Sequence, residues 1–258
     1  FLIFFLILAS LYIFLFTGLH GDDYVTITFF QNKSFSDFLF VNPESQGIWL
    51  FNLPAYYLFY SAYYFIGYDN LLIYDTIKLL AHIVSVFFVF KFFREYFGKE
   101  KSILGSLIYI FYISHDSTTY WLMATGYMLF FPSLILYSFS LIRKNLYSLG
   151  GIALLIGSFC YSSPPYVFGL SLIFLLEKSY KKFLIFIFIG SIFVFYYLAM
   201  SYYFPSIESR INDNFSIIIL LKNFLLQFIS AIDSSIAVSF LLKVYYSISS
   251  ISILSLGI

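Results

Sequence analysis

Apolar runs approaching the thickness of a bilayer recur along this chain, with short polar breaks between them. They fall at about residues 1–17, 71–93, 102–115, 121–142, 146–161, 165–177 and 183–204. A further apolar stretch, 216–258, is interrupted by Lys222, Asp233 and Lys243. A full crossing needs about 20 residues, so the shorter runs have soft ends. Of the 258 residues, 61% are hydrophobic and only 10% are charged, with a mean hydropathy of +0.91. No soluble core of this size uses that much apolar surface. The fold class is therefore an all-α polytopic membrane protein.

The positions of the charges matter more than their sum of +1, which gives no reason to expect a nucleic-acid or acidic partner. Lys91, Arg94, Lys99 and Lys101 share one break, Arg143 and Lys144 the next alternate one, and Lys178, Lys181 and Lys182 a third. If the seven runs each cross once, these nine of the fourteen Lys and Arg residues lie on one side. The opposite breaks hold Asp22, Asp23, Asp37, Glu44, Asp69, Asp116, Glu208 and Asp213, with Lys33 and Arg210 as their cations. Basic loops stay cytoplasmic, which predicts a cytoplasmic N-terminus and extracytoplasmic acidic loops. The run 47–68 is apolar enough to cross, but a crossing there would invert every later loop. Its Tyr56, Tyr57, Tyr60, Tyr63, Tyr64 and Tyr68 are residues of the headgroup layer, and Asn52 and Pro54 interrupt it early. We expect a helix lying in the outer interface, inside a structured outer loop 18–70 that has a second short helix near Ser34–Phe40.

The single cysteine, Cys160, excludes an internal disulfide and a cysteine-based metal site. The chain opens at Phe1 inside one apolar run and closes at Ile258 inside another, so a fragment of a longer protein is expected. No small-residue cleavage site follows the first run, which favours a membrane anchor over a removed signal peptide.

Four places could carry chemistry. Adjacent carboxylates, Asp22 and Asp23, follow the first run after a short spacer and need partners or water to coexist there. Asp75, Lys78, His82 and Ser85 fall on one helical face of the second run. They read either as a structural Asp75–Lys78 pair with His82 in the core, or as a cationic wall for an anionic ligand. The break 114–121 holds His115 and Asp116, which could orient a water, a sugar hydroxyl or a metal ion. Ser162–Tyr166, with two prolines, is most simply a turn. Phosphate-cradling glycine loops, His/Cys metal spacings, nucleophile elbows and kinase signatures are all missing, so any donor has to arrive from the membrane.

In this order the features resemble the GT-C superfamily of integral membrane glycosyltransferases. That group includes protein O-mannosyltransferases, lipid A aminoarabinose transferases and the catalytic oligosaccharyltransferase subunit. The likeness rests on Asp22-Asp23-Tyr24 with Asn32 beyond, then Leu53–Leu58, a Gly67–Asn70 turn, Leu79–Val84 around His82, and His115 followed by Trp121. It covers residues 1–204 as a seven-helix module, with 205–258 beginning a variable, truncated C-terminal part.

The resemblance implies an inverting enzyme that moves a sugar from a polyprenyl-phosphate donor to a lipid, glycan or protein hydroxyl on the extracytoplasmic face. It implies Asp22 as the base with Asp23 beside it, and Lys78, with Arg210 or His82, on the phosphate side. Tyr24, His115 and Asp116 complete the substrate contacts. Some members use a divalent ion such as Mg or Mn and others none; Asp22, Asp23 and Asp116 are the residues that could hold one. A transporter or flippase-like protein for lipid-linked sugars, and a non-catalytic membrane scaffold, are the competing classes.

Overall fold

The computed structural model describes residues 17–41, 50, 52–110, 121–160 and 162–203. These lie in one of the two units into which the chain divides; the other, 112–114 with 209–258, is outside the described residues. All regular structure among the described residues is helical. In chain order the elements are α1 (Asp23–Gln31), α2 (Phe35–Leu39), α3 (53–66), α4 (Leu71–Phe93), α5 (Lys99–Ile110), α6 (Leu122–Arg143), α7 (Tyr147–Ser158), α8 (Pro164–Leu176) and α9 (Tyr180–Tyr203).

Six of the seven apolar runs coincide with α4 to α9, and the first lies outside the described residues apart from Thr17. Among the described residues, only α4, α6 and the Tyr180–Met200 part of α9 are long and apolar enough to cross a membrane. The twelve residues of α7 and thirteen of α8 reach only about 18–20 Å at 1.5 Å per residue. That is short of the roughly 30 Å hydrocarbon core. The seven-crossing expectation thus reduces to three candidate spans among the described residues.

Helix ends follow local chemistry. Ser34 caps α2 by accepting from the Asp37 N–H at 3.2 Å. Pro164 opens α8, where a missing N–H costs nothing. In α6 the turn Thr125–Phe130 widens to a π-helix just before Pro132, whose ring and absent N–H disrupt the i→i−4 ladder there.

The three basic breaks meet at one end of the bundle. Lys144 Nζ lies 2.6 Å from Glu95, Arg143 lies 3.1 Å from Glu177, and Lys182 Nζ donates to the Arg143 carbonyl at 2.5 Å. The Arg143 guanidinium also lies over the Tyr96 ring at 4.4 Å. Two large apolar clusters fill the interior, with a small third one around Phe193. Ile135, Phe139, Ile142, Leu154, Phe174 and Phe186 pack the half near these breaks. The other large cluster is aromatic and joins α1, α2, α3, the start of α4 and the start of α6.

One face of α3 is buried inside the protein. Tyr56, Tyr60 and Tyr63 are at most 1% exposed, packed against protein. They recur at i, i+4 and i+7, one face of the helix. Their hydroxyls are satisfied inside: Tyr56 donates to the Phe38 carbonyl at 3.0 Å and Tyr60 to the Met123 carbonyl at 3.1 Å. Tyr57 and Tyr68 are the exposed tyrosines of the run.

Candidate functional site

The segment Thr17–Asp23 is where the sequence candidates come together. It bends at Gly18 (φ 57°) and Gly21 (φ 55°), left-handed positions that suit glycine. From one side α4 grips it. Lys78 Nζ donates to Thr17 Oγ1 at 2.7 Å and to the Gly18 carbonyl, and pairs with Asp75 Oδ1 at 3.0 Å. Asp75 Oδ1 in turn accepts from Thr17 Oγ1 at 2.5 Å and from the Gly18 N–H at 2.8 Å. Each of the three ammonium protons of Lys78 therefore has an acceptor. The whole stripe Asp75, Lys78, His82 and Ser85 is buried, facing the bundle interior as its spacing required.

From the other side Asp23 grips the same segment. Its carboxylate is fully buried at the first residue of α1. It accepts from the His20 N–H at 3.1 Å, the Leu122 N–H at 3.2 Å, the Met123 N–H at 3.3 Å and the Tyr63 hydroxyl. Burial pushes the carboxyl above the ordinary carboxylate range, and these four donors pull against that shift without cancelling it. Burial and the Asp23 charge together raise the Tyr63 hydroxyl well above the usual tyrosine value. The Asp23 charge also reaches Lys78.

Asp22 is placed quite differently. It is exposed at the N-cap of α1 with helical backbone angles, and its carbonyl accepts from Thr26 N at 2.9 Å and Thr26 Oγ1 at 2.7 Å. Its carboxylate makes no hydrogen bond among the described residues. Next to it, Tyr24 is exposed and stacks on Tyr68 with ring centroids 6.4 Å apart, and the Tyr68 hydroxyl donates to the Tyr24 carbonyl at 2.9 Å.

The structure thus brings Asp22, Asp23, Tyr24 and Lys78 to one segment, with His82 buried further along α4. His115, Asp116 and Arg210 lie outside the described residues. No group of three His, Cys, Asp or Glu side chains that could hold a metal ion occurs among the described residues. Tyr63, Thr17 and the amides of Leu122 and Met123 are the site residues that the sequence reading missed. Tyr63 had a signal in the helical spacing of the buried tyrosines; backbone amides 99 and 100 positions from Asp23 have none. No protein-family model, curated protein or solved structure matches the chain.

Proposed function

We propose that this protein is a membrane glycosyltransferase that transfers a sugar from a polyprenyl-phosphate-linked donor to an acceptor hydroxyl at the extracytoplasmic face. One observation carries the reading. Of two adjacent carboxylates, Asp23 is immobilised in the interior, and Asp22 is left exposed with its oxygens uncommitted. In a single displacement the acceptor oxygen attacks C1 of the sugar as its proton passes to Asp22. The bond from C1 to the lipid phosphate breaks, and the phosphate leaves with the electron pair, inverting C1. Bound donor and acceptor exclude the water that now reaches Asp22, which strengthens it as a base. A phosphate reaching Lys78 would replace Thr17 or Gly18 as its acceptor; preorganised positive charge there favours the leaving anion. Tyr24 and His82, together with His115, Asp116 and Arg210, are the remaining candidates for substrate contact.

A second reading, a non-catalytic membrane protein, is favoured by a different observation: the protons of Lys78 already serve Thr17, Gly18 and Asp75. Incubating membranes that contain the protein with radiolabelled sugar on defined polyprenyl phosphates separates the two. Labelled product supports transfer; a donor panel giving none leaves the non-catalytic reading.

A further inference from the structure

Helix α1 is weak by sequence and depends on its tertiary contacts. Its first two turns include Val25, Thr26, Ile27 and Thr28, four consecutive β-branched residues, the poorer class of helix former. The helix has nine residues and no side-chain cap at Asp22, and isolated helices that short are marginal. The segment before it bends at two glycines, so the loop itself does not fix the direction of Asp22. Tertiary contacts hold the helix instead: Ile27 and Phe30 are buried in the aromatic cluster, the Tyr68 hydroxyl donates to the Tyr24 carbonyl, and the buried carboxylate of Asp23 stands next to Asp22 itself. Asp23 takes hydrogen bonds from three separate stretches of chain: His20 just before it, Tyr63 on α3, and Leu122 and Met123 at the start of α6.

We propose that Asp23 is a positioning residue and not a second base, and that with Tyr63 it forms a clasp that sets where Asp22 stands relative to α3 and α6. This rests on the reading above in giving Asp22 the proton. A second base would need oxygens open to substrate, and both oxygens of Asp23 are occupied: Oδ1 by Tyr63 and Met123, Oδ2 by His20 and Leu122. The same occupation makes it a good anchor, because bonds to a buried charged acceptor are the strong kind. Tyr63 is itself fully buried, flanked by Tyr60 and Tyr74 with ring centroids at 5.9 Å from each. Its hydroxyl is therefore held in place by packing.

Tyr63→Phe removes one hydroxyl and little else. A cysteine at position 26, where Thr26 is 5% exposed, reports opening of this turn to a membrane-impermeant thiosulfonate, because the native Cys160 is buried. A cysteine at exposed Asp69 serves as the reference. In Tyr63→Phe, modification at 26 should quicken by roughly tenfold with position 69 unchanged, the scale expected for losing a hydrogen bond to a charged group. Normalised to folded protein, the kcat for sugar transfer should fall with KM for the donor unchanged, whereas a general loss of stability lowers the folded fraction and leaves the normalised kcat as it was. An unchanged rate at 26 overturns the clasp. So does Asp23→Asn if transfer is lost while 26 stays closed, since that is how a second base behaves. If Asp23→Asn does not accumulate, Tyr63→Phe decides alone. If the wild-type protein transfers no sugar but 26 opens in Tyr63→Phe, the clasp stands and the transferase reading falls.

Discussion

Lys78 Nζ and Asp75 Oδ1 lie 3.0 Å apart inside α4, one helical turn from each other, and both close on Thr17 and Gly18. The pair ties the end of the first apolar run to the second. Removing one partner leaves the other as a buried charge, which costs about 3–5 kcal/mol; replacing both with apolar residues of similar volume costs far less. Lys78→Met should therefore lower thermal stability in detergent more than Asp75→Leu/Lys78→Met does. A double variant that loses the sum of the losses of Lys78→Met and Asp75→Leu would mean that the two side chains act independently.

Close approach of α6 and α7 depends on glycine. A Cβ at Gly157 would stand 2.9 Å from Ile135 Cγ1 and 3.2 Å from the Phe131 carbonyl oxygen, and one at Gly150 would stand 2.6 Å from Ile142 Cγ1. Small residues that let backbones meet are a common device between membrane helices. Gly157→Ala should cost about 1–3 kcal/mol through overpacking. Gly169 on α8 has nothing within 4 Å of a Cβ, so Gly169→Ala should be neutral or stabilising by up to about 1 kcal/mol. Thermal midpoints of both variants check the contrast, and a milder effect at 157 than at 169 would refute it.

These two cases also show what could be read ahead of the structure. Runs of apolar residues located α4 to α9 because burial and span length act locally along the chain. The spacing of Asp75, Lys78, His82 and Ser85 placed them on one inward face for the same reason. In α3 the i, i+4, i+7 pattern of Tyr56, Tyr60 and Tyr63 marks a stripe buried against protein, which composition alone does not show. The partners of Asp23 were illegible, since an amide N–H at Leu122 is identical in kind to every other amide in the chain. Asymmetry between Asp22 and Asp23 is likewise a product of tertiary packing.

Convergence of the basic breaks at one end of the bundle sharpens the expected topology. Glu95, Arg143, Lys144, Glu177 and Lys182 meet there through ion pairs and a hydrogen bond. If that end is cytoplasmic, a cysteine at exposed Asp69 labels in intact cells, and one at exposed Lys99 labels only after permeabilisation. The reverse pattern would place the acidic pair on the cytoplasmic side and remove the basis for a lipid-linked donor.

Lys33 should make stability depend on alkaline pH. Its Nζ lies over the rings of Phe29, Phe30 and Tyr56 at 4.2, 5.3 and 5.9 Å, and burial lowers its pKa to about 8 against the pull of Asp37. Below that value folded and unfolded chains both carry the proton, and the penalty for the buried charge is fully present. Between there and the ordinary lysine pKa of about 10.4, the unfolded chain binds more protons, so stability rises with pH. Lys33→Met should then be more stable than wild type at neutral pH, with the gap closing as the pH passes through this window. A gap that is constant or widens upward would show that the rings favour the ammonium more than burial penalises it.

Asp22→Asn is the direct test of the proposed reaction. The substitution keeps the size and hydrogen-bonding capacity of an exposed side chain that makes no hydrogen bond among the described residues, so folding should be unaffected. It removes the proton acceptor, and loss of a general base lowers a rate by about 10²-fold or more. Donor binding should survive, because the phosphate is held elsewhere in this scheme, at Lys78. Lys78→Met should weaken donor binding as well as slow transfer, over and above its effect on stability. A transporter of lipid-linked sugars would keep its activity in Asp22→Asn, since moving a lipid-borne sugar requires no proton acceptor. If Asp22→Asn accumulates normally and transfers sugar at the wild-type rate, Asp22 is not the base. The clasp reading of Asp23 then excludes its neighbour as a substitute, and the base has to be sought outside this segment.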